Sequence, residues 1–209
     1  MKAETFFSNE DRQQISVAIK EVELQTAGEV AVMVVDRSDS YPEGRILAGV
    51  VFGGLAALIF SEFFFADSLW HFAPLAIVLT FSLNYLTGFV PAPTKLFISQ
   101  ARLEEEVRKR ALAAFYEKGL YKTRDASGVL FFISLFEHRV WILADKGIYE
   151  KIAPEALQAH AAAVAGAVKT GNAAQVLCVQ IRTVGAILAE HFPIKSDDTN
   201  ELTNEVMTG

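Results

Sequence analysis

Apolar residues recur along this chain with helical or strand spacing, except between residues 46 and 91, where they run almost without a break. Ser8-Asn-Glu-Asp11 has the form of a capping box, and after it Ile15, Ala18, Ile19 and Val22 recur at three and four residues. That spacing predicts a helix over residues 9–26 with one apolar face. Ala27-Gly28 ends it. The run Val-Ala-Val-Met-Val-Val that follows predicts a central strand over 29–36, covered on both faces. Residues 37–44 are rich in turn formers and predict a loop.

Residues 46–91 contain no Lys and no Arg, and their carboxylates are Glu62 and Asp67. Two apolar runs lie within, 46–60 and 69–90. A bilayer core of roughly 30 Å needs about 20 apolar residues per helix, so this stretch predicts two membrane-crossing helices joined by a short turn. Residues 61–68 would reach the far side. Trp70, His71 and Tyr85 lie toward the ends of the second run, where amphipathic rings settle at an interface. Gly49, Gly53, Gly54, Ala56 and Ala57 put small residues on the first helix, which lets a second helix approach closely. Pro74 falls in the first turns of the second helix, where it disturbs least. Two buried helices of a soluble core would be the other reading, but a chain this short has little protein left to cover both.

Beyond Pro91-Ala-Pro93 the helical rhythm returns. Leu96, Leu103, Val107, Ala111, Ala114 and Phe115 predict one long helix over 94–118, ended by Gly119. Residues 129–135 and 140–144 predict two strands, and the short connection between them predicts an antiparallel hairpin whose turn, Glu137-His-Arg139, is solvated. Helices follow over 154–169 and 173–191, and residues 193–209 read as an acidic, disordered tail. Without the apolar insertion at 46–91, residues 1–45 and 92–192 form one α/β domain. Because both ends of the insertion return to it, that domain is expected at the bilayer surface.

Charge refines the picture. The net charge of −6 argues against a nucleic-acid partner. It is uneven, with eight Lys/Arg against four Glu from Lys95 to Arg124, a basic stretch suited to anionic headgroups. Arg37 and Arg45 precede the hairpin, and Lys95 and Arg102 follow it, so both soluble flanks are expected in the cytoplasm. The first residues lack the apolar core of a secretory signal, consistent with that side. A single cysteine, Cys178, allows no intrachain disulfide.

Ala27-Gly28-Glu29 running into a Val-rich strand resembles the opening of the TPM domain. Ser127-Gly-Val-Leu-Phe-Phe-Ile-Ser134, then Glu137-His-Arg-Val140 and Asp145-Lys-Gly-Ile148, resembles that domain's central hairpin, and Ala114-Phe115 with Gly119-Leu120 fits the helix before it. The match is to the membrane-anchored bacterial branch of the family. The resemblance implies a small mixed-sheet α/β sandwich with an inserted transmembrane hairpin, placed in the bacterial inner membrane. It also implies weak acid-phosphatase activity and divalent-metal binding, as in soluble relatives, where an Asp just before the Gly-Val-Leu strand lines a metal cleft. Asp125 stands near that position, one residue out of the soluble spacing.

The candidate chemistry is therefore sparse. Asp125 and Asp145 are expected at one edge of the sheet, as ligands of Ca²⁺ or Mg²⁺. Asp36 and Glu137 are expected at the opposite edge. Turn and cap roles in water are the ordinary use of such residues. His160 and His191 are isolated on helices, and Cys178 reads as a buried small hydrophobe. There is no P-loop, no dinucleotide fingerprint, no His-Glu-x-x-His and no Gly-x-Ser-x-Gly. These features together lead to the expectation of a membrane-anchored accessory protein that binds a partner protein or itself. A weak metal-dependent phosphatase is the alternative.

Overall fold

The computed structural model describes residues 2–65, 69–86, 92–194 and 201–209. The chain divides into two compact units, one of Met1–Asp39 and Glu104–Gly209, the other of Ser40–Leu103. The second unit thus reaches beyond the expected insertion on both sides.

The first unit is mixed α/β. The capping box forms as the sequence requires: Asp11 N donates to Ser8 Oγ (3.1 Å), and Ser8 N donates to the Asp11 carboxylate (3.0 Å). The helix it opens, α2 (Asn9–Glu23), is preceded by the short α1 (Ala3–Phe6) and followed by strand β1 (Glu29–Val35). It stops short of the expected end because Thr26 turns away: its hydroxyl donates to Phe192 O (2.6 Å) and accepts from Gly28 N (3.0 Å). Strands β2 (Gly128–Ser134) and β3 (Arg139–Ala144) form the antiparallel hairpin, with Val129 opposite Ala144. β1 lies parallel to β2, Glu29 opposite Gly128. A strand the sequence did not announce, β4 (Met207–Thr208), pairs in parallel with the outer side of β1, so the order is β3-β2-β1-β4.

Period-two alternation sends the two halves of each strand into different cores. Val30, Val32, Val34, Val129, Phe131, Ile133, Val140 and Ile142 face α2 together with α8 (Pro154–Thr170) and α9 (Ala173–His191). Ala31, Met33, Val35, Leu130 and Phe132 face α6 (Gln100–Glu117) through its Val107, Ala111, Ala114 and Phe115. The continuous apolar run of β1 is explained by cover on both sides. α9 sits so close to α2 that a Cβ on Gly185 would lie 2.4 Å from Val22 Cγ2.

The second unit holds α3 (Pro42–Phe65), α4 (Leu69–Leu86) and the short α5 (Ala92–Lys95). α3 and α4 pack side by side. The expected turn near Asp67, and the end of the second run beyond Leu86, lie outside the described residues. Gly49, Gly53 and Ala57, spaced by four, form the face of α3 that meets α4. A Cβ at Gly53 would stand 2.7 Å from Thr80 Cα and N, whereas nothing lies within 4 Å of one at Gly54. Gly53→Leu is therefore expected to lower the unfolding midpoint in detergent, a loss of about 1–3 kcal/mol from overpacking. Gly54→Leu should leave the midpoint unchanged.

Three expectations are corrected. The long helix over 94–118 is broken: α5 ends at Lys95, and α6 starts at Gln100 after a turn in which Ser99 Oγ accepts from Arg102 N (3.2 Å). Leu96, 76% exposed, does not belong to the buried face of α6. The tail is not free where it is described. Val206 is buried in the core shared by α2, α8 and α9, Leu202 and Met207 pack on the α6 side, and Gly209 N donates to Val34 O (3.3 Å). A further short helix, α7 (Lys146–Tyr149), follows β3 with Asp145 as its N-cap.

Candidate functional site

The surface that most needs an explanation belongs to α3 and α4. At 1.5 Å per residue, 24 helical residues make α3 about 36 Å long. Its span Pro42–Phe64 is long and apolar enough to cross a membrane, and Trp70–Leu86 is a shorter apolar helix. Within this unit, Val50, Val51, Leu55, Leu58, Ile59 and Phe63 point away from α4, and Ile77, Val78 and Phe81 point away from α3. Phe63 is 80% exposed and Trp70 90%. A helix that is apolar all round belongs in a core or in a bilayer.

The arginines of this unit, with Glu43, gather at one end. Arg45 Nη2 donates to Asn84 O (3.4 Å), joining the start of α3 to the end of α4. Arg102 pairs with Glu43 at 3.2 Å. Gly44 allows close approach of the segment after α5, its virtual Cβ lying 2.7 Å from Ile98 Cγ1, and Phe97 sets its ring edge-on to Phe52 at 5.9 Å. Segment 94–98 therefore folds back onto the first turns of α3, which is why the long helix cannot run through it. At the other end of α3, Glu62 is exposed in the last turn.

A second helix, Ala173–His191, passes the same test of length and composition. Its setting differs. Leu177, Ile181, Val184 and Leu188 are buried in the α/β core, while Arg182 pairs with Glu21 of α2 at 2.8 Å. α9 is a core helix with one polar face.

The two ends of the sheet carry the candidate side chains. At the C-terminal ends of β1 and β2 stand Asp36, Ser38, Ser134 and Glu137. Asp36 Oδ1 accepts from Ala3 N (2.5 Å), and its carboxylate is 3.7 Å from Lys2 Nζ. Glu137 is not the solvated turn residue expected; it is 4% exposed. Its carboxyl accepts from Ser38 N (2.9 Å) and from the Ser134 hydroxyl, and the two serine hydroxyls meet at 2.8 Å. His138 holds the tight turn at φ 52°. Glu137 therefore ties the loop after β1 to the β2–β3 hairpin. Ser134, fully buried, is out of reach of any substrate. Glu137→Ala strips both donors of their partner and should cost about 3 kcal/mol, read as a lowered melting midpoint. Glu137→Gln, which keeps an acceptor for Ser38 N, should cost less.

At the opposite end the structure brings the loops of Asp125 and Asp145 together. Ideal-geometry Cβ on Gly147 would lie 2.9 Å from Asp125 O, and Asp145 N donates to Gly128 O (2.9 Å). Asp145 Oδ1 caps α7 by accepting from Lys146 N (2.6 Å), while its Oδ2 is buried with no hydrogen-bond partner. Ca²⁺ takes six to eight oxygens and Mg²⁺ about six. Among the described residues no three His, Cys, Asp or Glu side chains gather to hold a metal ion. One orphaned oxygen, with no such group of side chains around it, does not fit a divalent-metal centre.

Three carboxyls that sequence reading passed over lie at this end too. Glu23 and Glu29 press against one another, and Glu201 N donates to Glu29 Oε1 (3.1 Å). Burial, and then the charge of Glu29, push the Glu23 carboxyl up to about 7. Nothing in the local sequence signals the group, because its members come from α2, β1 and the tail. Elsewhere, His160 Nδ1 is 2.7 Å from Gln180 Oε1, linking α8 to α9, and burial pushes the Cys178 thiol up, away from reactivity.

No protein-family model matches the sequence, and no curated protein matches it. Among solved structures the chain is similar to the NMR structure of BA42 protein from the psychrophilic bacterium Bizionia argentinensis. The TM-score is 0.62 at 22% identity, over 100% of this chain and 99% of that one. At that identity the likeness is one of fold.

Proposed function

We infer that this is a membrane-anchored accessory protein. The hairpin of α3 and α4 crosses the bilayer twice, and the α/β unit stays on the cytoplasmic side and binds a partner protein there. The observation that carries this reading is the apolar surface of α3 and α4, which no described part of their own unit covers. The cations Arg37, Arg45, Lys95 and Arg102 flanking the hairpin support the cytoplasmic side for both flanks. The α/β unit is of the TPM type, a small sandwich, and the membrane is the bacterial inner membrane. Supporting the family reading are the parallel β1–β2 pair, the antiparallel β2–β3 hairpin and the helices on both faces of the sheet. Net charge gives nucleic acid no purchase.

The test is fractionation of the full chain. It should pellet with membranes, resist carbonate extraction and, from mild detergent, recover a reproducible partner protein or a second copy of itself. Release by carbonate would remove the anchor, and repeated recovery of the chain alone as a monomer would remove the accessory role.

A metal-dependent phosphatase of the TPM type is the weaker reading, since no group of three His, Cys, Asp or Glu that could hold a metal ion occurs among the described residues. Heat on titration with Ca²⁺ or Mg²⁺, lost in Asp145→Asn, would restore it.

A further inference from the structure

We propose that the groove between α6, β3 and the start of α8 holds a zwitterionic phospholipid, with its phosphate on Arg108, its ammonium on Glu155 and its acyl chain along Trp141 and Leu143. The lipid is drawn from the bilayer, so the proposal rests on the anchored reading above. It is tested in detergent, where the groove binds lipid or does not, whatever the hairpin does.

The groove exists because the two faces of the sheet are covered unequally. α2, α8 and α9 pack on one face, whereas among the described residues α6 is the long helix on the other. α6 buries the residues that β1 and β2 present to it. Trp141 and Leu143 of β3 alternate onto that same face and stay half-buried. Leu112 on α6 is 47% exposed beside them. The cavity over this apolar floor measures about 670 Å³ and is bounded further by Tyr149 and Pro154. Pockets that enclose a small molecule run from about 300 to 1,000 Å³.

Most polar groups that line the groove are already engaged. Tyr149 Oη accepts from Ala144 N (3.1 Å), and Gln158 Nε2 donates to Ile142 O (2.6 Å). Those are backbone groups of β3 that an added strand would need, so an extended peptide finds no ladder to join. Lys109 Nζ is held by Glu105 (2.7 Å) and Glu106 (3.0 Å). Two charges remain, Arg108 on α6 and Glu155 in the first turn of α8. Both are exposed, and neither has an ion-pair partner among the described residues.

These two charges decide what fits. They have opposite signs and stand on walls built by different helices. A purely anionic ligand would meet Glu155, and a purely cationic one would meet Arg108. A ligand that carries both signs satisfies both walls. The guanidinium of Arg108 offers a phosphate two parallel donors, and the Glu155 carboxylate accepts from an ammonium. An alkyl chain is what the tryptophan and leucine floor takes, since each methylene laid there leaves water. A phospholipid with an ammonium headgroup joins these three parts in one molecule.

Trp141 is a built-in reporter, because the chain has two tryptophans and the other, Trp70, lies on α4. The full chain carrying Trp70→Phe is purified in a maltoside detergent. It is titrated with lysophosphatidylethanolamine brominated on the acyl chain, whose bromines quench an indole at contact. The quenching of Trp141 should saturate. Brominated lysophosphatidylglycerol, which lacks the ammonium, should bind about tenfold more weakly, the loss expected of one charged contact. Glu155→Gln should abolish that preference, and Arg108→Gln should weaken both lipids by a similar factor. No saturable quenching, equal binding of the two lipids, or a preference that survives Glu155→Gln overturns the proposal. So does displacement of the lipid by an equal concentration of free phosphoethanolamine, which would make the site one for a headgroup alone. Trp141 emission that changes with protein concentration in the absence of lipid would make the groove a contact between copies, and overturns it too.

Discussion

Arginines at Leu55 and Ile59 together should detach the chain from the membrane. Both side chains sit near the middle of α3, exposed and directed away from α4. At the centre of a spanning helix a Leu or Ile contributes roughly −0.3 to −0.6 kcal/mol to insertion and an Arg about +2.5 to +3.5. The pair therefore shifts insertion by about 6–8 kcal/mol, more than the rest of one apolar helix can offset. Carbonate-washed membranes should lose the double variant almost completely. Leu24→Arg, an exposed position at the end of α2, should have no effect. Retention of the double arginine variant in washed membranes would mean that α3 is buried by protein and not by lipid.

Ile181→Asp should do the reverse: unfold the α/β unit while the chain stays in the membrane. α9 matches α3 in the length and composition expected of a membrane span, so the two helices are separated by what surrounds them. Ile181 is fully buried among residues of α2, α8 and the sheet. Replacing it removes a packed side chain and places a carboxylate where no water reaches, which together cost more than about 4 kcal/mol. Loss of near-ultraviolet dichroism, with the chain still in the membrane pellet, is the expected result. A folded α/β unit together with a chain freed from the membrane would make α9 the anchor.

Much of this architecture is legible in the sequence because its signals are local. The capping box and the three-four spacing of Ile15, Ala18, Ile19 and Val22 define α2. The β-branched run of β1 announces cover on both faces. The small residues of α3 announce close packing, although Gly54 in fact faces away from α4. What the sequence hides depends on distant partners. Leu96 falls in phase with Leu103, yet Phe97 and Ile98 turn back onto α3 and break the helix between them. Glu137 sits in what reads as a solvated turn, and its burial depends on Ser38, 99 residues away. The tail is acidic enough to read as disordered. Its ordering rests on Leu202, Val206 and Met207, three apolar residues whose sites are built by β1 and the helices.

The candidate site follows the same division. That Asp125 and Asp145 share one sheet end follows from strand direction alone, and the structure places them there. How many ligands join them does not follow from strand direction. The Glu23–Glu29–Glu201 group is assembled from segments far apart in the chain, with no spacing to betray it.

Side-specific labelling of the hairpin's two flanks tests the central claim most directly. In a chain whose single cysteine is removed as Cys178→Ala, cysteines are introduced singly as Ser40→Cys and Gln100→Cys, both at exposed positions beside the hairpin. A membrane-impermeant maleimide is applied to intact spheroplasts and to inverted inner-membrane vesicles. Two crossings with cytoplasmic flanks require both cysteines to react in inverted vesicles and neither in spheroplasts. Reaction of the two from opposite sides, or of both from outside, would contradict it.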